Sequence, residues 1–321
     1  MLYLKYDNSV MRDGIGAQAL RIVTLRAIAN FFKCGYIHAP MTQIDEHFSD
    51  QFQSHDDIQL QLQLVNEFFS FETSKIPESF HKEVSVHELG NRYFLKLLKE
   101  SFLTRHNILA NICLPFSILN RLPQIMNGTP KFMRETQPNF FSNLSPLDVV
   151  VHLRMGYGDS VTKNAKGRYL PYDFYVDLMK SVIKRNKIHK DRKIIIHTDL
   201  SPTNVKWKVL TSSTRKELVN LGIELNADVF EISGVDLSKI FGLQIDHEIE
   251  YRYCDDFFTT LSDMSQARTL IMGRSALSYL AGLMNPNQVI WPNNHGHPKM
   301  TWWTSSIEYG VNATKYRLIA G

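Results

Sequence analysis

Four short stretches of this 321-residue chain combine residue types that handle anions. The first is Val151-His152-Leu153-Arg154-Met155-Gly156. A histidine and an arginine two residues apart share one face of an extended strand, and Gly156 lets the backbone turn close to a ligand. The Arg154 guanidinium donates two parallel hydrogen bonds and so suits a diphosphate; the same arginine at a strand end also suits a surface carboxylate. The second stretch is His197-Thr198-Asp199, where Asp199 fits a ribose, a base edge or a helix cap. The third is Gly273-Arg274-Ser275-Ala276-Leu277-Ser278. Backbone N–H groups at a helix start, a serine hydroxyl and the Arg274 charge together make an anion site, although a plain serine N-cap needs no ligand. The fourth, Asp13-Gly14-Ile15-Gly16-Ala17-Gln18-Ala19, matches the G-x-G-x-x-A string of dinucleotide-binding loops. The strand before it ends near Tyr6, seven residues too early, and the next ends in HAPM without the acidic residue a ribose needs. A nicotinamide oxidoreductase is therefore disfavoured; a glycine loop before a helix instead brings backbone close to a sugar.

These stretches need strands and helices to hold them. LYLKY (2–6), the amphipathic run AQALRIVTLRAIANFF and CGYIHAP predict strand, helix and strand, the opening of an α/β sheet. Residues 41–145 read as mostly helical and polar, with KEVSVHEL as a strand and NRYFLKLLKESFLTRH as a helix. Beyond them, LDVVVHLRMG, RKIIIHTD, ADVFEIS, TLIMG and NQVIWP are apolar strands that alternate with the helices YDFYVDLMKSVIKRN, DDFFTTLSDMSQA and SALSYLAGLM. Continuous apolar strands alternating with helices predict a parallel sheet covered on both faces, with ligands beyond the strands' carboxyl ends. The Pro-, Asn- and Ser-rich segment 127–146 is the expected boundary. It gives an acceptor-side domain over 1–145, a donor domain over 146–295, and a C-terminal segment, 296–321, packing back on the first domain.

Composition narrows the function classes. A formal net charge of +4, evenly spread, suits a phosphorylated ligand or an anionic surface and argues against nucleic acid. Cys34, Cys113 and Cys254 show no C-x-x-C spacing, so free thiols are expected. The N-terminus lacks a signal-peptide pattern and no run reaches the length of a membrane span, so a cytoplasmic location is expected. The sequons at Asn127, Asn143 and Asn312 are then chance. His295 and His297 are too few ligands for a metal site.

The order of these pieces resembles the superfamily of α-1,2-, α-1,6- and protein O-fucosyltransferases. The resembling residues are Gly14-Ile15-Gly16-Ala17-Gln18, His152-Leu153-Arg154-Met155-Gly156, and MSQARTLIMGRSALSYLAGLMNPNQVIWP (264–292). The resemblance implies a GT-B fold, with two Rossmann-like domains facing a cleft and the donor held by the second. It implies that Arg154 neutralises the donor diphosphate and that His152 touches the nucleotide or sugar. Ser275, with Arg274, Ala276 and the adjoining N–H groups, would hold phosphate; Gly14, Gly16 and Gln18 would approach the sugar. Two positions depart from the family pattern. Tyr157 stands where an Asp often follows H-x-R-x-G, with Asp159 two residues on. Thr260 stands where an Asp binds guanine, with Asp255, Asp256 and Asp263 as nearby substitutes.

The expected reaction is an inverting transfer of fucose from GDP-fucose to a glycan hydroxyl, without a further cofactor; another donor such as UDP-xylose, or a non-catalytic glycan-binding module, are the alternatives. No D-x-D motif is present, so Arg154 and a helix start are expected to replace a metal against the leaving diphosphate. Asp159, then Asp13, are the candidate bases for the acceptor hydroxyl. Trp302 and Trp303 suit stacking on a sugar ring or packing of the last segment.

Overall fold

The computed structural model describes residues 1–9, 14–43, 55–142, 147–154, 170, 172–198, 205–207, 230–232, 245–253 and 256–316. The chain divides into two compact units, Met1–Pro138 and Asn139–Gly321. Each is α/β and built on a parallel sheet, the class the strand and helix alternation predicts.

In the first unit, β1 (Leu2–Tyr6), β2 (Gly35–Ile37), β3 (Lys82–Glu88) and β4 (Ile108–Leu114) form a sheet in the order β2-β1-β4-β3. Every pairing in it is parallel. Helix α1 (Ile15–Phe32) joins β1 to β2 and buries residues on nearly all sides, Leu20, Ile22, Val23 and Ile28 among them. Helices α2 (His55–Phe68) and α3 (Asn91–Thr104) follow, then α4 (Thr129–Thr136); the short α5 (Pro138–Ser142) begins at the last residue of this unit and otherwise belongs to the second. Helix α3 differs from α1: it buries only Phe94, Leu97 and Ser101, one narrow stripe at helical spacing. The central strand β4, ILANICL, lies inside a stretch that reads as mostly helical. Its apolar run is interrupted by Asn111, whose Nδ2 donates to Glu83 Oε1 at 2.6 Å on the edge strand.

In the second unit, six parallel strands run in the order β12-β11-β10-β5-β6-β9. They are β5 (Val149–Leu153), β6 (Ile194–Thr198), β9 (Ile249–Tyr253), β10 (Thr269–Ile271), β11 (Gln288–Trp291) and β12 (Thr304–Ser305). Every residue of β5 and β6 is buried, as expected for central strands with both faces covered. Alternate residues Val149, Val151 and Leu153 meet Phe174, Leu178 and Met179 of α6 (Tyr172–Asn186). Helices α7 (Phe257–Gln266) and α8 (Ala276–Met284) flank β10 in sequence.

One strand assignment changes. ADVFEIS does not supply a member of the parallel sheet: its strand β8 (Phe230–Ile232) pairs antiparallel with β7 (Val205–Trp207). The sheet's outer strand beside β6 is instead IEYRY, β9. It escapes a search for apolar runs because its charged and aromatic residues alternate and all are only partly buried. The C-terminal segment contributes to this second unit. Tyr309 Oη accepts from Gln288 at 2.8 Å, and Tyr316 Oη donates to Asp177 at 2.6 Å.

Candidate anion site at the carboxyl end of the second sheet

The turn between β10 and α8 is built around Gly273 and Ser275. Ser275 caps α8, its Oγ accepting from the Leu277 N–H at 3.2 Å. Ser278 Oγ donates to the Gly273 carbonyl at 2.8 Å and closes the turn from inside. Parallel pairing of β10 with β5 brings this turn beside the end of β5. There, Arg154 Nη1 donates to Ser275 Oγ at 3.3 Å across 121 residues of sequence. The strand-end arginine and the serine that opens the helix therefore meet, and a cation stands at the amino end of a helix dipole. That combination is chemically suited to an anion with oxygens to share.

His152 lies behind this pair. It is 5% exposed, and its Nδ1 has no hydrogen-bond partner among the described residues. Burial first, then the neighbouring Arg154 and His197 charges, push its pKa from 6.5 down to about 3. The ring is neutral at physiological pH and offers a lone pair or an N–H rather than a charge. Gly273 permits this packing. A Cβ there would stand 2.5 Å from the His152 carbonyl oxygen, 3.2 Å from Tyr175 Oη and 3.3 Å from His152 Nδ1.

Register extends the site sideways. His152 pairs with His197, and His197 with Arg252, across β5, β6 and β9, so the three side chains project from the same face. From α7, Asp263 Oδ2 sits 2.8 Å from His197 Nε2 and also pairs with Arg252 Nη1. Arg252 Nε donates to Glu250 Oε1 at 2.7 Å. Asp256, the other described carboxylate near Thr260, caps α7 by accepting from the Phe258 and Thr259 N–H groups at 2.9 and 3.0 Å. Both carboxylates are thus occupied within the protein, and Thr260 is buried.

The loop after β11 adds His295. Its Nδ1 accepts from the His297 N–H at 3.1 Å, which leaves the hydrogen on the buried Nε2, and the ring borders the Gly273 and Ser275 backbone. Burial lowers its pKa to about 3. Trp303 is core: it is 2% exposed, its Nε1 donates to Gly282 O at 3.3 Å, and it meets Tyr279 edge-on at 4.9 Å.

Of the residues singled out from sequence, His152, Arg154, Arg274, Ser275 and Ala276 gather at this turn. Gly14, Gly16 and Gln18 belong to the first unit. Gly14 is the N-cap of α1, Gly16 lies in its first turn, and Gln18 is buried with Nε2 donating to Gln43 O at 2.7 Å. Asp13, Gly156, Asp159 and Asp199 lie outside the described residues, as do Tyr157, Cys254 and Asp255. Tyr175 is an addition, and His197, Asp263 and His295, each named from sequence in another connection, border the same turn and strand ends. The string HTD drew attention to its aspartate; the described part of that string, His197, lies beside Asp263 and Arg252. Only knowledge of strand pairing could have placed His197 beside His152.

Among the described residues no cluster of three or more metal-ligating side chains occurs, and no helix is long and apolar enough to cross a membrane. An open groove of about 590 Å³ on the first unit is lined by Tyr3, Arg26, Lys33, Cys34, Gly35 and Lys75. It opens at the amino ends of β1 and β2, the opposite end from where ligands of open α/β sheets bind. The Cys34 thiol there is pushed up to about 12 by burial and is unreactive.

No family model and no curated protein matches the chain. Solved structures do. The E. coli heptosyltransferase WaaC with ADP-2-deoxy-2-fluoro heptose matches at 9% identity and a TM-score of 0.37, covering 95% of this chain and 92% of that one. A mutant of Arabidopsis thaliana FUT1 in complex with GDP matches at 11% identity and a TM-score of 0.38, covering 92% and 72%. POFUT1 in complex with GDP-fucose matches at 10% identity and a TM-score of 0.40, covering 94% and 97%.

Proposed function

We propose that this chain is a glycosyltransferase of the GT-B type that takes its sugar from a nucleoside diphosphate and transfers it with inversion, without a metal. The observation that supports this reading is the contact between Arg154 and Ser275 at the start of α8. As the bond between the anomeric carbon and the diphosphate breaks, negative charge collects on the leaving oxygens. Arg154, the Ser275 hydroxyl and the amino end of α8 are fixed donors for that charge, and such donors are the largest single contribution expected in reactions of this kind. The neutral His152 ring beside them adds a polar contact without repelling Arg154. Phosphate binding draws on the second unit; Gly14, Gly16 and Gln18 are proposed to contribute to the sugar. Asp159 and Asp13 remain the proposed bases for the acceptor.

Fucose is the donor sugar the sequence resemblance favours. Asp256 and Asp263 are both engaged within the protein, which removes two of the three substitutes for a guanine-binding carboxylate, so a panel decides the base. GDP-fucose, UDP-xylose and ADP-heptose are tested by thermal shift. The true donor at a hundred times its Kd stabilises the fold by about 2.7 kcal/mol. Arg154→Ala lowers kcat for transfer about 10²- to 10³-fold, or about 2.7–4 kcal/mol, the effect of losing one such donor. If glycans stabilise the protein and no nucleotide sugar does, the chain is a glycan-binding module and the proposal fails.

A further inference from the structure

Helix α3 carries an apolar surface that no other element among the described residues packs against. Its inward stripe is Phe94, Leu97 and Ser101, with Phe94 packed edge-on to Phe32 of α1 at 4.8 Å. At 3.6 residues per turn, Leu95, Phe102 and Leu103 lie on the outward side. They are 46%, 81% and 66% exposed. Arg92, Lys96 and Lys99, all exposed, share that side. Glu100 is the only carboxylate in the helix, and it is turned to β3, where it pairs with Lys82 at 2.8 Å.

We infer that this face of α3 docks the protein onto an anionic lipid surface. A band of leucine and phenylalanine interleaved with lysine and arginine, free of acidic groups, is the pattern of a helix lying in a membrane interface. The apolar side chains enter the acyl boundary while the cations stay with lipid headgroup phosphates. Charge also decides against a second copy as the occupant. A twofold pairing through this face brings Arg92, Lys96 and Lys99 of both copies into one interface with no carboxylate of the helix turned toward it, and these cations repel. The docking is independent of the chemistry at Ser275.

The test is co-sedimentation of the full chain with vesicles of phosphatidylcholine alone, and of phosphatidylcholine and phosphatidylglycerol in equal parts. The protein partitions to the anionic vesicles and leaves them at high salt. The double substitution Phe102→Ser with Leu103→Ser, and separately Lys96→Glu with Lys99→Glu, each weakens partitioning roughly tenfold or more, while circular dichroism stays that of the wild type because neither pair touches the core. Absence of binding to anionic vesicles overturns the inference, as does equal binding to neutral ones or undiminished binding by both folded variants. A concentration-dependent dimer that the Phe102 and Leu103 substitutions dissolve also overturns it and assigns the face to self-association.

Discussion

Gly273 leaves no room for a side chain. A Cβ would press on the backbone oxygen of His152, which cannot swing away as a flexible side chain can. Gly273→Ala therefore pushes β10 off β5 and costs about 1–3 kcal/mol, read as a lower urea midpoint with an unchanged slope. The displacement also widens the Arg154 to Ser275 contact. At this scale the sequence was informative where function and local geometry coincide. Arg154 and Ser275 stood out because each ends or begins an element beside a glycine. Tyr175 did not, because it is an ordinary helical residue whose significance comes from what packs against it; Asp263 stood out only as a substitute for a guanine-binding carboxylate, and its pairing with His197 and Arg252 was not legible.

The elements of the second unit are tied at their far ends by Asn285. Its Nδ2 donates to Met264 O and Ala267 O, both at 2.9 Å, and its Oδ1 accepts from the Asn287 N–H at 2.7 Å. The side chain is fully buried. One amide thus joins the end of α7 to the end of α8 and fixes the approach to β11. Asn285→Ala strips Met264 O of this donor, while Ala267 O keeps Asn287 Nδ2 at 3.2 Å, and costs about 1–3 kcal/mol for the carbonyl left unsatisfied, measured by chemical denaturation. Asn285, within the 264–292 stretch, is thus a brace, and its presence there reflects packing. The strand misread as part of the parallel sheet, Phe230–Ile232, follows from the same limit: a short apolar run specifies a strand but not its neighbours.

For the molecule as a whole, the buried neutral histidines set an acid limit. His152 titrates near 3 in the folded protein against 6.5 as a free side chain, so between those values the unfolded chain binds a proton that the folded chain does not. Stability is then highest above pH 6.5 and falls as pH drops from 6.5 toward 3, by about 1.4 kcal/mol per pH unit for this one group. His295 acts in the same direction. Urea unfolding from pH 7 to pH 4 shows the decline, and His152→Leu reduces its slope by one proton equivalent relative to the wild type.

The sequence by itself determined the α/β class, most of the elements and the residues that end them, because apolar periodicity and glycine or serine punctuation are local properties of the chain. Tertiary structure decided which strand lies beside which. Pairing β5 with β10 joined Arg154 to Ser275, pairing β6 with β9 gathered His197, Arg252 and Asp263, and burial turned His152 into a neutral ring. Adjacency in a parallel sheet depends on crossovers of many residues whose packing energies are shared across the whole core, and no short stretch of sequence carries that information.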